Sequence, residues 1–128
     1  AMQLEYAPGS CNIGPDEIAR RRRVAIVGLC AAAAFVFAFA IFGVHGAARL
    51  VVAAPLASAA IGWIQARRRF CLAYGFAGTF NFGSIGELRR VVDPESLRAD
   101  RRTAATIALQ GLLVGLAGAA LVAVAPLG

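Results

Sequence analysis

Two long stretches of the chain contain no charged residue, and this limits the possible folds more than any other feature. Residues 24–44 form one stretch of 21 residues, and residues 104–125 form another of 22. As α-helices these stretches would each be about 30 Å long, which matches the hydrocarbon core of a bilayer. A soluble domain of 128 residues has too small a core to bury both of them. The sequence therefore predicts a membrane protein.

A third and shorter apolar stretch lies between these two, over residues 50–66. Its 17 residues would reach about 25 Å, the low end of the spanning range, and Arg49 and Arg67 bound it. Residues 70–86 contain five aromatic residues and four glycines, a composition that suits an interfacial segment better than another span. We therefore predict an all-α, polytopic helical membrane protein with three transmembrane helices and a cytoplasmic interfacial segment.

Helix-start signals divide this single membrane domain, residues 1–128, into segments. Pro15 is followed by two acidic residues, and Asp93 is followed by Pro94. Each of these patterns is typical of the start of a helix. The apolar run that begins at Val24 is too long for the core of a cleavable signal peptide, so none is expected. The predicted segments are helix one over 14–44, helix two over 50–69, an interfacial Gly/aromatic linker over 70–92, and helix three over 94–125.

The placement of arginine predicts the orientation of the chain. Twelve of the 13 arginines lie in residues 1–23 or 67–102, and only Arg49 lies between them. Because positive residues concentrate on the cytoplasmic side, we expect a plasma (inner) membrane protein with a cytoplasmic N-terminus and an extracytoplasmic C-terminus. This arrangement explains the net charge of +6 through contact with the lipid bilayer, without a nucleic-acid partner.

Few side chains in this sequence offer reaction chemistry. The three apolar stretches contain no acidic or basic residue, and the cysteines and the single histidine lack metal-binding spacing. No phosphate-binding loop is present either. The sequence therefore predicts no cofactor and no metal, and it leaves open whether the protein is an enzyme, with a non-enzymatic role favoured.

Two cysteines are candidate reactive thiols. Cys11 precedes helix one, and Cys71 follows the basic residues Arg67, Arg68 and Arg69 at the same predicted face. Positive charge favours the thiolate, which is the reactive form, and the same arginines would attract an anion. The alternative is that both cysteines are small interfacial hydrophobes. Cys30 lies inside the first span and is expected only to pack there.

Small residues recur along one face of helix three and predict a packing surface. Gly111 and Gly115 form a Gly-x-x-x-Gly motif, which permits close approach of two helices. We expect this ridge to mediate self-association, so that the protein is a homo-oligomer or packs against a larger membrane partner.

Two motifs resemble the YgaP-like family of small inner-membrane transmembrane domains. Residues 11–20 read Cys-Asn-Ile-Gly-Pro-Asp-Glu-Ile-Ala-Arg, in which an Asn-x-Gly motif is followed by an acidic residue, an apolar residue and Arg. Residues 70–78 place a Cys after the second span, a Tyr three residues later, and then a Gly. Leu72 stands where the family usually has Pro, and residues 79–128 lie outside its pattern. The family-like positions are Asn12, Gly14, Arg20, Cys71, Tyr74 and Gly78.

The resemblance implies a membrane module that occurs alone or fused to rhodanese sulfurtransferase domains. It implies handling of sulfane sulfur, thiosulfate or a related small anion through the interfacial cysteines, with a sulfurtransferase as a partner. Two alternatives stay open at this point. One is a non-catalytic accessory or structural membrane subunit, and the other is an oligomeric channel or carrier without thiol chemistry.

Overall fold

The fold is described by a computed structural model, which covers residues 5–85 and 87–126. Within those residues, three helices are long and apolar enough to cross a membrane, so the prediction of an all-α polytopic fold is confirmed. In chain order the elements are α1 (Pro15–Phe42), a 3-10 helix (Gly46–Val52), α2 (Ala53–Arg68), α3 (Leu72–Ala77), β1 (Thr79–Phe80), β2 (Arg89–Arg90) and α4 (Pro94–Val124).

The first and last long helices begin where the sequence signals place them. Pro15 opens α1, and Gly43 ends it in the left-handed conformation with φ 65°. Asp93 caps α4, because its Oδ2 accepts hydrogen bonds from the backbone N–H of Ser96 at 3.1 Å and from its hydroxyl at 2.8 Å. These bonds lower the pKa of the Asp93 carboxyl.

The middle of the chain differs from the prediction. The second spanning element begins as a 3-10 helix, and α2 ends at Arg68 because Arg69 adopts the left-handed conformation with φ 56°. The predicted linker over 70–92 contains the short helix α3 and the antiparallel pair of β1 with β2, in which Thr79 pairs with Arg90. The left-handed conformation of Arg69 turns the chain away from the axis of α2. The next two residues, Phe70 and Cys71, are therefore buried and do not extend α2.

Helix α2 packs against both α1 and α4. On α4, a Cβ added at Gly115 would lie 2.8 Å from the Cα of Ala57, and one at Gly111 would overlap the side chain of Ile61. The small-residue ridge of α4 is therefore occupied by α2 of the same chain. Self-association of the protein stays a prediction.

Arg49 links the C-terminal ends of α1 and α4. Its side chain is buried and donates hydrogen bonds to the carbonyl oxygens of Val44 at 2.7 Å, Val122 at 3.1 Å and Ala125 at 2.6 Å. The last carbonyls of a helix lack partners within the helix and attract positive charge, so Arg49 caps the C-terminal end of α4.

Candidate functional site

The segment before α1 is held between two loops at the arginine-rich end. The N–H of Asn12 donates to the carbonyl of Arg69 at 3.0 Å, and the carbonyl of Asn12 accepts from the N–H of Asn81 at 2.9 Å. Gly14 then donates to the carbonyl of Asn81 at 2.8 Å. A Cβ at Gly14 would lie 2.9 Å from the backbone of Phe82, so only glycine fits this close approach. The Asn-x-Gly motif thus has a local structural basis.

The Asn12 side chain holds the backbone of Cys71. Its Oδ1 accepts a hydrogen bond from the N–H of Cys71 at 2.6 Å, and its Nδ2 donates to the carbonyl of Cys71 at 3.1 Å. Asn12 is fully buried, and such polar groups must be paired to be tolerated away from water. This amide pairing fixes Cys71, the residue before α3, against the segment that leads into α1.

The sulfur of Cys71 lies against a guanidinium group. Arg21 Nη2 donates to Cys71 Sγ at 2.8 Å, and the cysteine is only 1% exposed. A guanidinium group has donors and no acceptor, so the sulfur accepts in this contact.

A buried carboxylate completes this cluster. Glu17 is fully buried, and its Oε2 accepts from the hydroxyl of Tyr74 at 2.8 Å and pairs with Arg21 Nη2 at 3.1 Å. The Arg21 guanidinium also lies 5.6 Å from the centre of the Tyr74 ring. Burial and the Glu17 carboxylate raise the pKa of Tyr74. We call Glu17, Arg21, Cys71 and Tyr74 the Arg21 cluster.

An open groove lies beside the Arg21 cluster. It has a volume of about 330 Å³, and Arg20, Arg21, Gln65 and Cys71 supply the polar part of its lining. Gln65 is itself fixed, because its Oε1 accepts from the N–H of Leu72 at 2.9 Å. A small anion entering this groove would meet two guanidinium groups and the Cys71 sulfur.

The second candidate thiol has a different environment. Cys11 is 8% exposed, and its sulfur lies 3.8 Å from the carbonyl oxygen of Ile13. Burial raises the pKa of Cys11, and the charge of Arg69 opposes this only in part. From the sequence alone, nearby positive charge is expected to favour the Cys11 thiolate. That expectation is wrong for Cys11, because burial raises its pKa. Cys30 is exposed on the surface of α1.

The arginines at the end of α2 are not the ones that hydrogen-bond the Cys71 sulfur, as the sequence had suggested. The guanidinium beside the Cys71 sulfur belongs to Arg21 of α1. The side chains of Arg67, Arg68 and Arg69 are exposed, because α2 ends there and the chain turns inward at Arg69. Arg67 and Arg68 instead line a separate cavity with Trp63 and Gln110.

The remaining family-like positions have clear places in the fold. Tyr74 belongs to the Arg21 cluster, and Gly78 ends α3 with φ +75°, a conformation that favours glycine. The side chain of Arg20 is 52% exposed, and its Nη1 lies 3.9 Å from Glu17 Oε1. Arg20 is therefore a lining residue of the groove and only a weak partner of Glu17.

A second buried carboxylate attaches the N-terminal segment to α4. Asp100 accepts hydrogen bonds from the Tyr6 hydroxyl and from the N–H of Gly9, each at 2.7 Å. The Thr103 hydroxyl donates to the carbonyl of Gly9 at 2.7 Å. Burial and the bond to Asp100 raise the pKa of Tyr6. These contacts stabilise the segment that carries Asn12.

Sequence reasoning missed Glu17, Arg21 and Asp100 as site residues. Glu17 and Arg21 are four positions apart and so lie on one helix face, a signal that was present in the sequence. Nothing in the sequence marks Asp100 as the partner of a segment about 90 residues away.

Within residues 5–85 and 87–126, no three His, Cys, Asp or Glu side chains are grouped so that they could hold a metal ion. Comparisons of the chain with protein-family models, with curated proteins and with solved structures give no match. The resemblance to the YgaP-like family therefore stays a prediction from the two motifs.

Proposed function

We propose that this protein is a small integral membrane protein that accepts sulfane sulfur on Cys71 at its cytoplasmic face. The observation that carries the proposal is the 2.8 Å contact between Arg21 Nη2 and Cys71 Sγ in an open groove. The contact places a positive charge beside the sulfur, and the groove admits a small anion. The YgaP-like motifs support the same chemistry, because Asn12 and Tyr74 are both in contact with this arrangement.

The transfer step is balanced without an external oxidant. The Cys71 thiolate attacks the outer sulfur of thiosulfate, and a bond forms between Cys71 Sγ and that sulfur. The sulfur–sulfur bond of thiosulfate breaks, and sulfite leaves with the electron pair. The product is a Cys71 persulfide anion. A protein persulfide on a sulfurtransferase would donate its terminal sulfur in the same way, with a thiolate as the leaving group.

The groove arginines have distinct parts in this step. Arg21 stabilises negative charge on the Cys71 sulfur before transfer, and afterwards it lies beside the persulfide, whose negative charge is on the outer sulfur. Arg20 is more exposed and would attract the incoming anion and the departing sulfite. Glu17 holds Arg21 in place through the 3.1 Å ion pair, and Tyr74 in turn holds Glu17.

Intact-mass measurement of the purified full chain after exposure to thiosulfate or polysulfide tests this proposal. We expect a reducible gain of one sulfur atom in the wild type and in Cys11→Ser and Cys30→Ser. Cys71→Ser should lose the adduct, and Arg21→Gln should slow its formation, because the thiolate loses its positive neighbour. An adduct that persists in Cys71→Ser would refute the assignment.

A second function is favoured by a specific observation, the burial of the Arg21 cluster. Cys71 is 1% exposed, the cluster joins α1 to α3, and Asn12 ties Cys71 to the N-terminal segment. The same contacts would serve an accessory subunit that needs a rigid cytoplasmic face. In that case Cys71→Ser would lower thermal stability in detergent, and no sulfur adduct would form on the wild type.

A further inference from the structure

An apolar cleft runs between α1 and α4 over one face of α2. Its volume is about 420 Å³, with Leu29 on the α1 side, Val114 on the α4 side, and Leu56, Ala60 and Trp63 of α2 among its lining. No charged residue lines this cleft. It lies along helices that are long and apolar enough to span a membrane, so its lining suits lipid chains.

The cleft meets a second cavity at its arginine-rich end. This cavity has a volume of about 450 Å³, and both cavities include Trp63 and Ile64 in their lining. Arg67, Arg68 and Gln110 supply the polar groups of the second cavity. Leu56 and Arg68 are twelve positions apart. At 1.5 Å per residue this is about 18 Å, close to the depth of one leaflet.

The charge at this end is uncompensated within the protein. Among the described residues, the ion pairs involve Glu17 with Arg20 and Arg21, and neither Arg67 nor Arg68 forms one. A second copy of the chain also has a net charge of +6, so it would bring further positive charge to the same end. A ligand that suits the joined cavities has an anionic head and an apolar chain.

We infer that the joined cavities bind an anionic phospholipid. Its phosphate lies between Arg67, Arg68 and the Gln110 amide, and one acyl chain passes Trp63 into the cleft between α1 and α4. Basic pockets between spanning helices at the cytoplasmic side are the established chemistry for such headgroups. This site does not include Cys71 or Arg21, so it stands independently of the proposed sulfur chemistry.

Lipid retention by the purified full chain tests this inference. The protein in mild detergent is titrated with phosphatidylglycerol, with phosphatidylcholine of the same chains, and with glycerol phosphate, and bound ligand is counted by native mass spectrometry. We expect phosphatidylglycerol to bind in preference to the other two, because both the charge and the chain contribute. Arg67→Gln with Arg68→Gln should weaken its binding by about 30-fold, or roughly fivefold for each arginine.

Two matched variants separate the site from general effects. Arg101→Gln with Arg102→Gln removes the same charge from exposed positions of α4 and should leave binding within about twofold of the wild type. Ala60→Trp fills the cleft and should reduce phosphatidylglycerol binding without a change of charge, whereas Ala120→Trp on an exposed face should not.

Three outcomes would overturn the inference. Equal weakening by both arginine pairs would mean general surface attraction, and glycerol phosphate binding as tightly as phosphatidylglycerol would mean a free-anion site. If Ala60→Trp instead converted a dimer into a monomer with lipid binding unchanged, a second copy would be the occupant of the cleft.

Discussion

The amide of Asn12 offers the sharpest test of how the fold presents Cys71. Asn12→Ala removes two hydrogen bonds, to the N–H and the carbonyl of Cys71, at 2.6 and 3.1 Å. Each buried backbone group left without a partner costs about 1–3 kcal/mol. The Cys71 carbonyl still accepts a hydrogen bond from the N–H of Gly75 at 2.9 Å, so only the Cys71 N–H is left without a partner. With the middle of the range for that one group, the closed state of the loop should lose about 2 kcal/mol relative to its open state. Such a loss corresponds to a roughly 30-fold larger open population.

Alkylation of Cys71 by a maleimide measures this opening, because the residue is 1% exposed and a bulky reagent needs the loop to open. The assay uses a background with Cys11→Ser and Cys30→Ser, so that Cys71 is the only thiol. The expected result is alkylation about 30-fold faster in Asn12→Ala than in the parent. If Asn12→Ala unfolded the whole protein, Cys71 would be alkylated at the same rate in detergent and in denaturant.

Asn81→Ala is the matched control, since Asn81 is also fully buried and its side chain also forms two hydrogen bonds. Those bonds go to Ser84 and Gly83, not to Cys71. We expect Cys71 alkylation to rise much less in this variant. If both variants accelerated alkylation equally, or if neither did, the reasoning that Asn12 specifically holds Cys71 would be refuted.

Two further predictions concern packing and orientation. Gly115→Leu should lower the free energy of unfolding in detergent by about 1–3 kcal/mol through overpacking, because a Cβ there would lie 2.8 Å from the Cα of Ala57. Ala120→Leu on an exposed face of α4 should have almost no effect, and equal thermal stability of the two variants would contradict this packing. Reporter fusions should place the N-terminus and residues 67–102 in the cytoplasm and residue 126 outside. A cytoplasmic reporter at residue 126 would contradict an odd number of spans.

The spanning helices were predictable because hydropathy is a local property of the chain. A run of about 20 apolar residues is long enough to cross a bilayer whatever it packs against. The starts of α1 and α4 were equally local, since Pro15 and Asp93 act on the turn that follows them. The break after Arg68 was missed, because Arg69 adopts a left-handed conformation without being glycine.

The partners of the polar side chains were decided by the tertiary structure. The sequence shows that Cys71 follows three arginines, yet the arginine beside its sulfur comes from α1, 50 positions away. Asp100 likewise meets Tyr6 across 94 positions. Such pairings depend on which helix faces meet in the folded protein. A sequence pattern can indicate that a face is packed, but it does not show which other element packs against it.

The glycines of α4 show the same division. The sequence determined that Gly111 and Gly115 permit a close helix contact, because small side chains allow two backbones to approach. Only the tertiary structure decided that α2 of the same chain makes that contact, through Ala57 and Ile61. The physical reason is that close packing is satisfied by any complementary surface, and Ala57 and Ile61 of α2 supply that surface here.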